Sequence, residues 1–419
     1  MTIVDAFNYV DGCLYAEGVS CEQIAREHGT PTFVYSRAAI ESRYLALDRA
    51  LDGTPHRICY AVKANSNLAV LDVLARLGAG FDIVSSGELQ RVIAAGGDAS
   101  KVVFSGVGKR ADEITEALQA GVTCFNIESA EELGVLADCA RVAGVRARMA
   151  LRVNPDVDAQ THPYISTGLK GTKFGVAIED ALALYLRAAA IPCLQVVGVA
   201  CHIGSQLTDP SPMLDALQRV LALVGELKTH GVNIAHIDMG GGFGIRYQDE
   251  TPHSPTEFAQ RLAHGLGGRE LELLLEPGRS IVGEAGVLLT RVIHTKHNSA
   301  RSFLVADAAM NDLIRPALYQ GWHPLRRVHE ASDEAAQTWD LVGPVCESAD
   351  FLALQRTLPA ASGDLLALEC CGAYSFVMSS NYNSRPRAAE VMVDGGQIHL
   401  VRAREQIADL FATEHCLPH

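Results

Sequence analysis

The sequence lacks the features that are typical of membrane-spanning proteins and of disulfide-rich secreted proteins. No uninterrupted apolar run reaches the roughly 20 residues that a transmembrane helix needs, and the first residues show no basic segment followed by an apolar stretch. The 11 cysteines are an odd number without any CxxC pair, which favours reduced thiols over disulfide bonds or a zinc site. We therefore expect a cytoplasmic protein without a metal centre.

The sequence also has fewer basic than acidic residues. The chain has 35 Lys and Arg residues against 49 Asp and Glu residues, so its formal net charge is -14. Because nucleic acids and anionic membranes repel such a chain, we expect neither as a partner.

Of the 419 residues, 48% are hydrophobic, which is enough for a large core and favours two domains.

Short apolar runs alternate with segments of helical periodicity after an opening helix predicted at residues 36–51. This alternation predicts an α/β fold with a parallel sheet. The number of runs favours a closed (β/α)8 barrel of the TIM type over residues 36–285, with an open doubly wound sheet as the alternative. The predicted strands are Arg57–Val62, Phe81–Val84, Val102–Ser105, Thr123–Ile127, Ala147–Val153, Val196–His202, Ile234–Asp238 and Glu272–Glu276.

The pattern changes after residue 285, where apolar runs follow one another without long helical segments between them. These runs predict a mostly antiparallel β domain over residues 286–419, and we expect the N-terminal segment, residues 1–35, to join it. The runs are VLLTRVI, RSFLVADA, TWDLVGPV, DLLALECC, AEVMVDG and GQIHLVRA.

Polar residues cluster at the C-terminal ends of the predicted barrel strands, where the mouth of such a barrel carries its active site. Pyridoxal phosphate needs a lysine amine for its aldehyde, a carboxylate near its ring nitrogen and backbone N–H groups for its phosphate. The chain offers all three kinds of group, so we predict a pyridoxal phosphate site. The strand-end residues are Lys63, Asp82, Arg152, His202, Gly240, Gly241, Gly242 and Glu276.

Each of these residues has an ordinary interpretation when it is considered alone. Lys63 could be a surface lysine, Glu276 a strand-end carboxylate before a proline turn, and His202 a core histidine. The run GGGFG could be a plain turn. It does not match the dinucleotide fingerprint GxGxxG, because Ile245 stands where the third glycine would fall.

Ten segments, taken together and in order, resemble the diaminopimelate decarboxylase family of fold-type III pyridoxal phosphate enzymes, the group that is similar to alanine racemase. They are spread over nearly the whole chain. The segments are YAVKAN, FDIVSSGEL, LRVNP, TGLKGTKFG, HIGSQ, DMGGGFGI, EPGRS, DLIRPALY, GPVCESAD and GAYSFVMSSNYNSRP.

The resemblance implies roles for individual residues in cofactor binding. Lys63 would hold the cofactor aldehyde covalently, Glu276 would face the ring nitrogen, and His202 would stack on the ring. Asp82 and Arg152 would lie near Lys63. The phosphate would be held by the glycines of GGGFG and by Ser205, Gly278, Arg279 and Tyr374, and Pro277 would also contact the cofactor.

The resemblance also implies the reaction, the removal of carbon dioxide from the D-centre of meso-2,6-diaminopimelate to give L-lysine, the last step of lysine biosynthesis. That substrate carries a second amino-acid head, so its pocket needs cations and an anion together. Arg315 and Tyr319 lie one helical turn apart in DLIRPALY and could bind the distal carboxylate. Glu347 would accept the distal ammonium, and Arg279 and Tyr374 would assist.

Cys346, beside Glu347 in GPVCES, is the candidate general acid, because a thiol is mostly protonated at neutral pH. In the family this pair reaches the cofactor of the partner subunit, so the resemblance implies a homodimer with shared sites. The loop at residues 154–175 is expected to cover the site.

Three alternatives stay open. A sister decarboxylase would act on ornithine, arginine or carboxynorspermidine, and the pocket for a second charged head argues against it. A catalytically silent cofactor-binding homologue would lack the reactive lysine or the acid, whereas this chain has Lys63 and Cys346. A racemase would need a second base at the substrate carbon, and we identify none.

Overall fold

The computed structural model describes residues 3–158, 172–330 and 335–418. Two compact units make up the chain. The first contains Arg43–Arg246 and Glu250–Ser280; the second contains residues 3–42, Tyr247–Asp249 and the described residues from Ile281 onward. The loop predicted at residues 154–175 lies largely outside the described residues.

The strands and helices of the described residues are as follows. The strands are β1 (Phe7–Val10), β2 (Cys13–Ala16), β3 (Val19–Ser20), β4 (Thr32–Ser36), β5 (His56–Ala61), β6 (Gly80–Ile83), β7 (Val102–Phe104), β8 (Cys124–Ile127), β9 (Ala147–Asn154), β10 (Val176–Ala177), β11 (Leu194–Cys201), β12 (His236–Asp238), β13 (Glu272–Leu275), β14 (Gly286–His297), β15 (Ser302–Ala306), β16 (Leu325–Arg327), β17 (Gln337–Val342), β18 (Phe351–Leu358), β19 (Leu365–Leu368), β20 (Ala389–Asp394) and β21 (Gln397–Arg402). The helices are α1 (Cys21–His28), α2 (Arg37–Ala50), α3 (Leu68–Arg76), α4 (Ser86–Ala94), α5 (Ala111–Ala120), α6 (Ala130–Ala143), α7 (Ile178–Ala189), α8 (Ser211–Thr229), α9 (Pro255–Gly265), α10 (Arg279–Val282) and α11 (Arg315–Tyr319).

The first unit is a closed barrel of eight parallel strands, as the sequence predicted. The strand order is β5, β6, β7, β8, β9, β11, β12 and β13, and β13 pairs with β5 to close the ring. Each predicted run overlaps one observed strand. The short strand β10 adds to the edge of β9. The open doubly wound sheet is therefore wrong.

Helices cover the outside of the barrel because each turns an apolar face toward the strands. Helix α3 shows why the sequence folds this way locally. The Asn67 side chain accepts a hydrogen bond from the Ala69 N–H and so starts the helix, which then buries Val70, Leu71 and Leu74. No helix in the described residues combines the length and the apolar character that crossing a bilayer demands.

Small and medium side chains fill the inside of the barrel, including the buried thiols of Cys59 and Cys124. Gly198 on β11 shows how tightly this interior is packed. A Cβ atom added there would lie 2.1 Å from Nε2 of His236. The imidazole of His236 therefore occupies the space that a side chain at position 198 would need.

The second unit contains mostly antiparallel sheet. Strand β14 pairs antiparallel with β4, β15 and β19, whereas β15 with β17 and β20 with β4 are parallel pairs. Strands β1, β2 and β3 form a small separate sheet. The sequence analysis missed β1, β2, β3 and β16, which have two to four residues each, and β18, whose register is interrupted opposite β17.

Candidate active site

The polar residues that the sequence placed at strand ends lie at one end of the barrel. Lys63 sits in a single 3-10 turn directly after β5, and His202 directly follows β11. Asp82 is the third residue of the four-residue strand β6, and Glu276 follows β13. Because the C-terminal ends of parallel barrel strands converge, these side chains share the barrel mouth.

Lys63 and Asp82 form the central ion pair of this mouth. The Nζ atom of Lys63 contacts Oδ2 of Asp82, whose side chain is completely buried, while the lysine side chain is 39% exposed. The second oxygen, Oδ1, has no hydrogen-bond partner within the described part of the chain. Asp82 therefore anchors one side of an amine that a small aldehyde can still reach.

A hydrogen-bonded network joins Glu276 to Asp238, the last residue of β12. Ser105 donates from Oγ to Glu276 Oε1 (3.4 Å), and Asn126 donates from Nδ2 to Ser105 Oγ (3.1 Å) and to Asp238 Oδ2 (3.3 Å). The Gly240 N–H donates to Asp238 Oδ1 (2.8 Å). The network thus connects the carboxyl group assigned to the cofactor ring with the first glycine of the phosphate loop.

Burial and neighbouring carboxylates hold a proton in this network. Burial raises the pKa of Glu276 well above its usual value, and the charges of Asp238 and Asp82 raise it further. Burial likewise raises the pKa of Asp238. The positive charge of Lys63 opposes the rise at Glu276, and the balance favours the protonated form of the Glu276 carboxyl group.

The backbone of the glycine loop after β12 lies very close to the backbone of neighbouring segments. Gly240 and Gly242 have φ values of 68° and 89°, which favour glycine. A Cβ atom at Gly241 would lie 2.1 Å from the Glu276 carbonyl oxygen, and one at Gly242 would lie 2.2 Å from that of Gly204. Only glycine fits at these positions.

The residues of the first unit that were assigned to the cofactor phosphate lie near this loop and near the Lys63 turn. The N–H of Gly242 donates to no residue in the described ranges, so it is available to an anion. Arg279 is buried and donates from Nη2 to Ser205 Oγ (3.1 Å). Gly278 packs against the Lys63 turn, since a Cβ there would lie 2.7 Å from Cβ of Ala64. The Pro277 carbonyl accepts from the Ala61 N–H.

His202 is a neutral imidazole at this site. Burial lowers the pKa of His202 well below its usual value, and the positive charges of Arg152 and Lys63 lower it further. The Gly241 N–H donates to its Nδ1 (3.3 Å), so Nδ1 is the acceptor nitrogen. A neutral ring suits stacking on an aromatic cofactor, because it adds no positive charge beside Lys63.

Arg152 is held by a residue that the sequence analysis missed. Its Nη1 donates to Glu128 Oε1 (3.1 Å), and its guanidinium lies 4.7 Å from the ring centre of Phe174. Glu128 also accepts from the N–H groups of Gly106 and Gly175. Glu128 follows strand β8, so its position at a strand end was the available signal.

Ser105, Asn126 and Asp238 were missed as well. Each is a polar residue at or near the end of an apolar run that the sequence analysis had assigned as a strand. Polar groups in such positions are buried only when they find hydrogen-bond partners. That rule was the signal that could have identified them.

The remaining predicted site residues lie in the second unit. Arg315 begins helix α11 and Tyr319 ends it. Arg315 is buried, donates from Nη1 to His323 Nε2 (2.8 Å) and stacks 4.5 Å from the ring centre of Tyr247. Because arginine can only donate, His323 Nε2 accepts, and Nδ1 carries the proton that is donated to the Glu369 carbonyl (2.8 Å).

Cys346 and Glu347 occupy an exposed turn of the second unit. The Cys346 N–H donates to Asn383 Oδ1 (2.8 Å), and buried Asp350 accepts from the N–H of Val345 (2.7 Å). These bonds fix the backbone while leaving the thiol accessible.

Tyr374 has a φ of 55°, a backbone conformation that is rare for a tyrosine. Because this conformation is unfavourable by itself, the surrounding structure must hold the backbone in it.

The barrel mouth fits pyridoxal phosphate on its own geometry. It offers a half-exposed lysine amine, a buried proton-holding carboxyl group and a glycine loop with an available N–H. Asp82 Oδ1 and Ser280 Oγ are buried polar atoms without a partner among the described residues. Such atoms are expected at a site that a polar ligand completes.

Comparisons with known proteins cover nearly the whole chain. The family model described as "Pyridoxal-dependent decarboxylase, pyridoxal binding domain" matches residues 37–283. A diaminopimelate decarboxylase of Pseudomonas aeruginosa is 60% identical over 415 residues, which cover 99% of this chain and 100% of that protein. One from Vibrio cholerae is 55% identical over 417 residues, with the same coverage of 99% and 100%.

The solved structures that resemble this chain include a diaminopimelate decarboxylase. The diaminopimelate decarboxylase of Helicobacter pylori complexed with L-lysine has a TM-score of 0.91 and 42% identity, covering 94% of this chain and 98% of that chain. The similarity therefore extends over both the sequence and the backbone.

Proposed function

This chain belongs to the diaminopimelate decarboxylase family of pyridoxal-dependent enzymes, and from that premise we propose how its residues act. It is a carboxy-lyase that uses pyridoxal phosphate to convert meso-2,6-diaminopimelate into L-lysine and carbon dioxide. The observation that carries the proposal is the half-exposed amine of Lys63 on the buried carboxylate of Asp82, at a mouth that also contains Glu276.

The barrel residues would bind and orient the cofactor. Lys63 would hold its aldehyde carbon, and Asp82 would position the lysine nitrogen through their ion pair. When bound, pyridoxal phosphate supplies an electron-accepting ring that stabilises the negative charge left by the departing carbon dioxide. Glu276 would face the ring nitrogen and hold that nitrogen protonated, and the neutral ring of His202 would cover one face.

The phosphate would be held by the glycine loop and its neighbours. Gly242 offers a backbone N–H, and the Arg279 guanidinium adds a positive charge beside Ser205. The complete proposed phosphate set is Ser205, Gly240, Gly241, Gly242, Gly278, Arg279 and Tyr374, and Pro277 would contact the cofactor beside them. Arg152, held by Glu128, would contribute positive charge near Lys63.

The residues proposed for substrate choice lie in the second unit, with Arg279 from the first. The His323 contact and the Tyr247 stack hold the Arg315 guanidinium in one orientation, which suits recognition of the distal carboxylate. Tyr319 on the same short helix, and Tyr374, would add hydroxyl groups. Glu347 would accept the distal ammonium.

The substrate carbon would receive its proton from Cys346. The thiol is exposed, so it is accessible to the surface of a second subunit. We propose that Cys346 and Glu347 complete the site of a partner subunit in a homodimer that works in the cytoplasm. The domain limits at residues 35 and 285 stay a prediction.

A substrate panel tests the proposal. Purified protein supplied with pyridoxal phosphate should release carbon dioxide from meso-diaminopimelate and far less from L-ornithine, L-arginine or carboxynorspermidine. Two lost charge-assisted hydrogen bonds cost roughly 3 to 6 kcal/mol, or on the order of a hundred-fold to ten-thousand-fold in rate. Equal rates on ornithine would refute the proposed substrate choice.

A variant pair tests the lysine. Lys63→Ala should abolish both the decarboxylation and the yellow colour of the bound cofactor. Lys228→Ala removes an exposed lysine from helix α8 and should change neither. Retention of the yellow colour by Lys63→Ala would contradict the assignment of this residue.

A further inference from the structure

Three side chains of the second unit lie close together and are of the types that bind zinc. In the sequence they are distant from the residues that are proposed to bind the cofactor. They are Cys13 on strand β2, Glu22 in the first turn of helix α1, and His329 after strand β16. One ligand atom from each residue lies within 4.8 Å of the other two. A thiol, a carboxylate and an imidazole are the groups that zinc prefers.

The backbone fixes two of these side chains on the same face. Cys13 and His329 are directly opposite each other in an antiparallel bridge. The Leu14 N–H donates to the Val328 carbonyl (2.7 Å) and the Glu330 N–H donates to the Gly12 carbonyl (2.9 Å). These bonds flank the pair, so Cys13 and His329 form the non-hydrogen-bonded pair, whose side chains approach most closely.

Glu22 comes from a helix end that is itself fixed. The Ser20 side chain accepts from the Gln23 N–H (3.2 Å), which anchors the first turn of α1. From this turn, Glu22 Oε2 lies 3.4 Å from Nε2 of His329. The side chains of His329 and Glu22 are 48% and 58% exposed, so water can reach a fourth ligand position.

We propose that Cys13, Glu22 and His329 bind one thiophilic divalent cation, of which Zn²⁺ is the best match, with water as the fourth ligand. Three protein ligands and one water give the tetrahedral coordination that zinc favours. The thiolate and the carboxylate together neutralise the double charge of the ion. The cation would join the N-terminal sheet, helix α1 and the segment after β16.

Binding at this site must displace a proton. A free thiol is mostly protonated at neutral pH, whereas a coordinating thiol is deprotonated. The apparent affinity should rise with pH, and about one proton should be released per ion bound.

Cobalt spectroscopy on the holoenzyme tests the site. After treatment with a chelator, addition of Co²⁺ should produce ligand-field bands at wavelengths beyond the cofactor absorption, with a strength typical of tetrahedral coordination. Zn²⁺ should abolish the bands at one equivalent per chain. Titration calorimetry in two buffers of different ionisation enthalpy should report the released proton.

Variants assign the ligands. Cys13→Ser and His329→Ala should each remove the cobalt bands and weaken Zn²⁺ binding at least about ten-fold to a hundred-fold, the loss expected even for groups that only support a ligand. Cys416→Ser, which removes another exposed thiol, should bind both metals like the wild type. None of these residues belongs to the proposed active site, so decarboxylation by each variant at saturating cofactor shows that it is folded.

The outcomes are decisive in both directions. If the wild type shows no cobalt bands, or if Cys13→Ser keeps them, the three residues are only an ion pair beside a thiol and the proposal is wrong. If the bands depend on Cys13 and His329 but not on Cys416, the proposal holds.

Discussion

The Lys63 ammonium pairs with the carboxylate of Asp82, a side chain buried completely in strand β6. A buried carboxylate at this position favours the protonated form of any nitrogen that Lys63 contributes. The pair therefore places a negative charge beside the nitrogen that is proposed to hold the cofactor.

Removal of this charge should be visible in the colour of the bound cofactor. In Asp82→Asn, the pKa of the nitrogen that joins Lys63 to the cofactor should fall, since the favourable negative charge is gone. Absorbance titration of the holoenzyme measures this pKa. Asp52→Asn, at an exposed position, should titrate like the wild type, and an unchanged titration of Asp82→Asn would contradict the role of the pair.

Glu276 should make the free energy of unfolding of the cofactor-free protein depend on pH. Its pKa is raised in the folded state, so the folded state binds more protons than the unfolded chain above the usual carboxyl pKa. Stability contributed by that proton is present at low pH and is lost as pH rises toward the raised pKa. The loss is about 1.4 kcal/mol per pH unit over that window.

Denaturant unfolding of the cofactor-free protein between acidic and neutral pH measures this effect. Glu276→Gln should lose less stability across the window than the wild type, because it has no proton to release. Glu270→Gln, at an exposed position, should follow the wild-type curve. Identical pH dependence in Glu276→Gln and the wild type would show that this carboxyl group is not the buried proton holder.

Arg315 should determine the preference for a substrate with a distal carboxylate. Arg315→Met removes a charge-assisted bond worth about 1.5 to 3 kcal/mol, which corresponds to roughly a ten-fold to hundred-fold decrease in kcat/KM on meso-diaminopimelate. The residual rate on ornithine, which has no such carboxylate, should hardly change. Arg187→Met, on the exposed face of α7, serves as the matched control. An equal decrease on both substrates would indicate damage to the fold.

Subunit mixing tests the shared site. Lys63→Ala and Cys346→Ala should each be inactive as homodimers, but a mixed dimer would contain one site with both residues intact. After random exchange of subunits, about one quarter of the wild-type activity should return. Cys416→Ala alone should be fully active, because that exposed thiol has no proposed role. Failure of the mixture to recover activity, with exchange demonstrated, would place Cys346 in the site of its own chain.

Gly198 should be required for packing of the barrel core. In Gly198→Ala the new Cβ meets the His236 ring, with 2.1 Å to Nε2, and overpacking of this kind costs about 1 to 3 kcal/mol. Gly225 in helix α8 has open space around it, so Gly225→Ala should stabilise the protein by up to about 1 kcal/mol. Chemical denaturation compares the two variants. A neutral Gly198→Ala would mean that His236 can move aside.

Much of the barrel could be predicted from the sequence, since its strands are short apolar runs between helical segments. The eight predicted runs overlap the eight barrel strands. The second unit was harder, because β16 is too short to show a pattern and the register of β18 is interrupted. The partners of the predicted site residues were harder still, as Glu128 and Asp238 show.

The sequence by itself determined which chemical groups this protein possesses: a lysine after an apolar strand, a glycine loop and a carboxylate before a proline. Local patterns specify such groups because the side-chain period and the glycine requirement are local properties. Only the tertiary structure decided which groups meet. The network from Glu276 through Ser105 and Asn126 to Asp238, and the meeting of Cys13 with His329, join residues distant in the chain. Their protonation depends on burial, which exists only after the barrel and the sheets have closed.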